Sequence, residues 1–305
     1  MQIYPFKQVD VFTEKPFYGN PVAVVLGGTE LTTAEMQRIA AWTNLSETTF
    51  VLPPSTPDAD YRLRIFDAKH EMPFAGHPTI GSAHAVIESG FVPVTNGRLR
   101  QECLAGVLDL RMEETNGRSK LWVKAPAASV TPISPSTSNL LRQALGIGFV
   151  EDTPPLRIDV GAVWLVVNMG QAGRVAELSP DMNALAHIST DLGLSGVTVF
   201  GQSGDGVCAL HVRSFAPASG VQEDPVCGSG NIGVAAFLTH SQLLERIGSK
   251  YTARQGMQIG RDGEVSIRVG EGGRFIELGG YAVTCIDGTL RSEYVPFGTS
   301  RSCAV

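Results

Sequence analysis

The chain has 305 residues, 43% hydrophobic and 18% charged, with 34 glycines and a formal net charge of −6. That is enough to bury a sizeable core in two domains of roughly 150 residues each. The acidic balance and the lack of a long basic run disfavour nucleic-acid binding, and no stretch reaches the roughly 18 apolar residues that span a bilayer.

The first residues, Met1 to Asp10, carry no apolar signal core. Five scattered cysteines, with no Cys-x-x-Cys pair, argue against a disulfide framework or a zinc site and fit a reducing cytoplasm. Gln8–Phe12 alternates like a strand, Pro16–Asn20 is a turn carrying Gly19, and Pro21–Leu26 is a second strand. Thr32 and Thr33 cap an amphipathic helix. Ser46–Leu52 and Tyr61–Phe66 are further strands, and three more are expected around Leu99, Val107–Leu110 and Leu121–Val123. Ala125–Ser138, rich in Pro, Ser and Thr, is the expected connection between halves.

The order then repeats. Ile158–Met169 is strand-like, a helix follows Glu177-Leu-Ser-Pro-Asp-Met182, and Leu194–Phe200 matches the strand after Leu45. Val212-Arg-Ser-Phe215 matches Leu63-Arg-Ile-Phe66, and strand pairs are expected near 257–269 and 274–285. Gly288–Phe297 is expected to complete the first half's sheet. The domains would be 1–125 plus 287–305, and 126–286.

The repeat is sharpest at Glu71-Met-Pro-Phe-Ala-Gly-His-Pro-Thr-Ile-Gly-Ser-Ala83 and Glu223-Asp-Pro-Val-Cys-Gly-Ser-Gly-Asn-Ile-Gly-Val-Ala235. Glu71 meets Glu223, Gly76 meets Gly228 and Gly81 meets Gly233 without a gap, which points to an internal duplication. Each copy runs from a Glu-x-Pro segment through a Gly turn into an apolar helix, Thr79–Glu88 and Asn231–Leu244. His77 and Ser229 are the expected N-caps, with Pro78 at the first helical position. A helix with no polar face must be surrounded, so the fold class is α+β: two similar domains, each a curled mixed sheet, or barrel, around one central helix. A helix start offers free N–H groups and a positive dipole end. Two such starts facing each other would hold a carboxylate.

Chemistry is expected where the halves differ. Glu47 stands where the second half has Gly196, a carboxylate among Leu, Ser, Thr and Phe. It is either an exposed strand residue or a general base with a tuned pKa. Asp224 replaces Met72 beside the second helix. Cys227 replaces Ala75 and is either a thiol of lowered pKa or a small buried filler. His84 is a core or surface residue, and the remaining histidines have no companions at metal spacing. Gly228-Ser-Gly-Asn-Ile-Gly233 matches a dinucleotide fingerprint, but no parallel strand precedes it and no acid follows at the required distance.

Ser46-Glu-Thr-Thr-Phe50, Ala75-Gly-His-Pro-Thr79, Glu223–Ser229 and Gly19-Asn-Pro-Val-Ala-Val24 together resemble the phenazine-biosynthesis isomerase (PhzF-like) family, a relative of diaminopimelate epimerase and proline racemase. The resemblance covers essentially the whole chain. It implies the diaminopimelate epimerase-like fold, a site in the cleft between domains, proton movement without a cofactor or metal, and a homodimer. By motif match Glu47 is the acid/base, with His77, Asp224 and Ser229 assisting. Gly76, Pro78, Thr79, Cys227, Gly228 and Gly230 are the expected substrate-binding positions around a small carboxylate-bearing metabolite. The epimerase relatives use two cysteines; this chain has Ala75 at the first place, which disfavours two-base racemisation. A one-thiol epimerase or dehydratase using Cys227, and a binding protein that lost the chemistry, are the rival readings.

Overall fold

A computed structural model describes residues 2–115 and 117–292. The first half runs β1 (Gln2–Val11), β2 (Asn20–Leu26), α1 (Thr33–Thr43), β3 (Thr48–Leu52), β4 (Tyr61–Phe66) and β5 (Glu71–Met72). Helix α2 (Gly76–Glu88) follows, then β6 (Arg98–Cys103), β7 (Gly106–Thr115) and β8 (Arg118–Lys124). The chain continues through β9 (Ser129–Pro132), α3 (Pro135–Leu145), β10 (Leu156–Asp159), β11 (Val163–Gln171), α4 (Ala172–Ala176) and α5 (Met182–Asp191). Strands β12 (Gly196–Gln202), β13 (Leu210–Ala216) and β14 (Val221–Asp224) lead to α6 (Gly228–His240) and α7 (Leu244–Ile247). Strands β15 (Lys250–Gln255), β16 (Gly263–Val269), β17 (Ile276–Gly280) and β18 (Ala282–Ser292) complete the described chain.

All the strands join one mixed sheet. From β1 to β8 the successive pairings are β1–β2 antiparallel, β2–β3 parallel, β3–β4 and β4–β5 antiparallel, β4–β6 parallel, then β6–β7 and β7–β8 antiparallel. From β10 to β17 the pairing senses follow the same order, with β11–β12 and β13–β15 the parallel pairs. β9 lies against β10, and β18 returns across the molecule to lie against β1, starting at Ala282 and so before residue 287. Of the tail expected on the first half's sheet, residues 293–297 lie outside the described residues. A β8–β17 pairing joins the halves at a second seam.

α2 packs against β1, β2, β3, β4, β8, β17 and β18; α6 packs against β9, β10, β11, β12, β16 and β17. Both are apolar almost all round and buried along most of their length, as a helix enclosed by strands must be. Ile80, Ile232 and Phe237 are fully buried; burying each stabilises by about 1.5–3 kcal/mol. One apolar core runs through both halves, from Val9 and Ile80 to Val166 and Phe237. Smaller clusters lie under α1 and beneath α3 and α5. Among the described residues no helix is long and apolar enough to cross a membrane.

Several boundaries differ from the sequence reading. α2 begins at Gly76, not Thr79, because extended Ala75 is its N-cap; His77 therefore lies inside the first turn and does not cap. Pro78 sits within that turn, where backbone N–H groups have no intrahelical partner to lose. α6 begins at Gly228 with Cys227, not Ser229, as N-cap, and ends at His240 because Gln242 turns left-handed at φ 57°. The 125–138 connection holds β9 and the start of α3, which Ser134 caps with Pro135 next to it. The 158–169 stretch is two strands split at Gly161, where φ is 94°. The pair expected near 257–269 begins earlier, at Lys250.

Candidate active site

The two equivalent loops before α2 and α6 are braced in the same way. Arg64 Nε donates to Glu71 Oε1 at 2.7 Å, and Arg213 Nε donates to Glu223 Oε1 at 2.9 Å. Arg213 also donates to the Val175 and Leu178 carbonyls, so its buried charge is fully engaged. These ion pairs fix β5 and β14, and each strand delivers its helix start to the same place. A Cβ built on Gly228 would lie 3.3 Å from Gly76 Cα and 3.3 Å from His77 N. The helices therefore meet start to start, which only side chains this small allow.

A cavity of about 700 Å³ opens beside that meeting point. Glu47, Gly76, His77, Asp224, Cys227, Gly228 and Ser229 all line it. Pro78, Thr79 and Gly230, expected to bind substrate, do not line it. Thr79 is fully buried and its hydroxyl accepts from Gln101 Nε2 at 3.2 Å. Gly230 faces the strands, where a Cβ would lie 2.6 Å from Ser214 Oγ.

Glu47 leads into β3, and its side chain is only 14% exposed. Burial, with Asp224 and Asp67 nearby, pushes its carboxyl up to about 8; a charge facing little water prefers to be neutralised. Gly196 in the second half leaves no room for such a residue, since a Cβ there would lie 2.1 Å from the Phe215 carbonyl oxygen. His77 Nε2 lies 3.2 Å from Glu47 Oε2 without hydrogen-bond alignment. Burial lowers the His77 imidazole to about 3, against the pull of the Pro21 carbonyl, so it is neutral at physiological pH. Burial raises Asp224 to about 6, opposed by the Val226 N–H that its Oδ1 accepts at 3.0 Å. Ser229 Oγ accepts from Trp164 Nε1 at 3.0 Å.

Cys227 corrects one of the two readings offered for it. Its thiol is not lowered: burial, then the Asp224 carboxylate, raise it well above its ordinary value. Its sulfur accepts from Gly230 N at 3.3 Å and acts as the helix cap. The helix start's donors are outweighed by desolvation.

Asn20 and Trp164 also line the cavity and were not singled out as site residues from sequence. Asn20 stands in the Gly19-Asn-Pro turn, and Trp164 is a buried aromatic of β11. Only the placement of Asn20 beside Gly19 signalled a constrained position. A Cβ on Gly19 would lie 2.1 Å from the Val11 carbonyl oxygen, and Gly19 N donates to buried Asp10 at 3.0 Å. Among the described residues no three His, Cys, Asp or Glu side chains gather as a metal site.

Paired helix starts, two carboxyls held above their ordinary range and a neutral imidazole share one cleft. The chain belongs to the phenazine biosynthesis-like family, whose pattern matches residues 9–288. It is 41% identical over 295 residues to antisense-enhancing sequence 1 of Schizosaccharomyces pombe, covering 94% of this chain and 99% of that relative. It is 34% identical over 257 residues to trans-2,3-dihydro-3-hydroxyanthranilate isomerase of Pseudomonas fluorescens, covering 83% of this chain and 86% of that enzyme. The crystal structure of the Bacillus anthracis phenazine biosynthesis protein of the PhzF family superposes with a TM-score of 0.84 at 26% identity, covering 96% and 100% of the two chains. The mixed α/β architecture is that of this family.

Proposed function

We propose that this protein is an isomerase that moves a proton between two carbons of a small carboxylate-bearing substrate, with no cofactor. The N–H groups around Gly76, His77, Gly228 and Ser229 receive the substrate carboxylate. Ionised Glu47 takes a proton from one carbon and returns it to another. Asp224 and His77 hold a substrate amine or hydroxyl, and Ser229 donates to the carboxylate. Proton transfer by a placed group supplies roughly 10²–10⁴-fold, and the closed, water-poor cleft supplies the rest.

The observation that carries this reading is Glu47 itself: a single carboxyl, raised to about 8 and 3.2 Å from a neutral imidazole, lining a cavity where two helix starts meet. The buried Cys227 thiol, engaged as the helix cap, weighs against a one-thiol epimerase. The matching pairing orders and the two Arg–Glu braces support descent by duplication, with one barrel-like domain around each helix. Family resemblance supports a homodimer, and the free cysteines among the described residues support a cytoplasmic setting.

The relative's named substrate is the first probe. Incubation with trans-2,3-dihydro-3-hydroxyanthranilate, alongside a panel of cyclic amino acids and hydroxy acids in deuterated water, is followed by NMR. Deuterium entering a substrate carbon, or a shifted double bond, is the expected result. Neither change in any member of the panel would overturn the reading.

A further inference from the structure

Asn20 is fully buried and joins the two halves across the cleft. Its Nδ2 lies 2.9 Å from Asp224 Oδ1, 3.0 Å from the Val226 carbonyl oxygen and 3.4 Å from His77 Nδ1. The Val226 oxygen can only accept, so the amide orientation is settled: the NH₂ faces these three atoms. Turning the amide over would press its oxygen against two acceptors. The NH₂ has two hydrogens, directed at Asp224 Oδ1 and the Val226 oxygen, and His77 Nδ1 shares one of them at the longer 3.4 Å. Because Nδ2 can only donate, an N–H on His77 Nδ1 would point at another N–H. The ring therefore keeps a lone pair on Nδ1 and carries its proton on Nε2, the nitrogen 3.2 Å from Glu47 Oε2. The Pro21 carbonyl is the ring's competing acceptor.

The arrangement comes with an unsatisfied group. Asn20 Oδ1 is buried with no partner, which is unfavourable for a polar atom away from water. A residue serving only to tie the loops together would not need that orphan. The turn before Asn20 is held by Asp10, itself buried.

We propose that Asn20 is a positioning residue of the reaction: one amide group fixes the His77 tautomer, so that the Nε2–H side of the ring faces Glu47, and holds Asp224 across the cleft. The proposal rests on the acid–base reading for its catalytic consequence, but the tautomer can be measured without any substrate.

The experiment is nitrogen–proton correlation NMR of the full-length protein with ¹⁵N-labelled histidine, with His77 assigned by its loss in His77→Gln. The expected wild-type ring is Nε2–H. In Asn20→Asp, which puts an acceptor where the donor stood, it changes to Nδ1–H. A wild-type Nδ1–H ring, or an unchanged tautomer in a folded Asn20→Asp, would overturn the proposal. If Asn20→Asp does not fold, the wild-type spectrum alone decides. On a substrate the wild type turns over, Asn20→Asp is expected to lower kcat roughly 10²-fold, part of the general acid–base contribution, while KM moves much less. Asn20→Ser, which keeps a donor, recovers part of that loss. A loss confined to KM would also overturn the proposal. If the tautomer behaves as expected but no substrate exchanges protons, the acid–base reading fails and the placement of the ring by Asn20 stands.

Discussion

Gly76 and Gly228 touch across the junction of the two halves: a methyl built on Gly228 would lie 3.1 Å from Leu278 Cδ2 as well as 3.3 Å from Gly76 Cα. Both neighbours would have to move. Gly228→Ala is therefore expected to push the helix starts apart and lower kcat/KM at least tenfold. It should destabilise by about 1–3 kcal/mol, the usual range for overpacking. Steady-state kinetics beside thermal unfolding checks this.

The pH dependence follows from Glu47. Its folded value, about 8, lies above its ordinary 4.5, so the folded state holds more protons between those values and stability falls as pH rises across that window. Asp224 acts with the same sign between 3.8 and about 6. His77 acts oppositely, since its folded value lies below 6.5, and its effect is complete by that pH. Between about 6.5 and 8 the Glu47 effect stands clear. Glu47→Gln should be more stable than wild type at pH 9 by about 2 kcal/mol or more, with the gap shrinking as the pH is lowered from 8 towards 6.5. Denaturant titrations across pH measure it. In the same range the wild-type kcat/KM should rise with pH and level off above about 8, as the base ionises.

Cys227 serves as a cap, so Cys227→Ser should keep activity within about fivefold and stability within about 1 kcal/mol. Cys227→Ala loses the cap and should cost about 0.5–2 kcal/mol. Iodoacetamide should modify native Cys227 slowly, as expected of a buried neutral thiol. Mass spectrometry of the alkylated protein reads this directly.

The Arg213–Glu223 pair is more enclosed than its counterpart, with side chains 6% and 6% exposed against 17% and 20% for Arg64–Glu71. Arg213→Met strands Glu223 and two carbonyls. It should destabilise by about 3–5 kcal/mol, and more than Arg64→Met does. Parallel unfolding curves of the two variants test the comparison.

Much of this was legible because the sequence says it twice. The Glu-x-Pro–Gly–helix pattern placed both central helices, and the Glu47/Gly196 mismatch marked the residue that reaches the cleft. Boundaries were less legible. Ala75 caps through backbone conformation, without a side-chain signal, so the eye stops at His77 instead. Ser134-Pro135 is a cap followed by a first-turn proline, and composition alone made it look like a linker. The two readings of Cys227 stayed open because the choice between them turns on desolvation that only packing reveals. Asn20 and Trp164 were hidden for a similar reason, because their partners Asp224 and Ser229 lie 204 and 65 residues further along the chain.

The central claim is that Glu47 carries the moving proton. The most direct measurement is the rate at which solvent deuterium enters a substrate carbon, compared between wild type and Glu47→Gln at pH 8. The account predicts exchange in wild type and a loss of at least 10²-fold in the variant, with binding of the same acid retained. Exchange at the wild-type rate in a folded Glu47→Gln protein would contradict it.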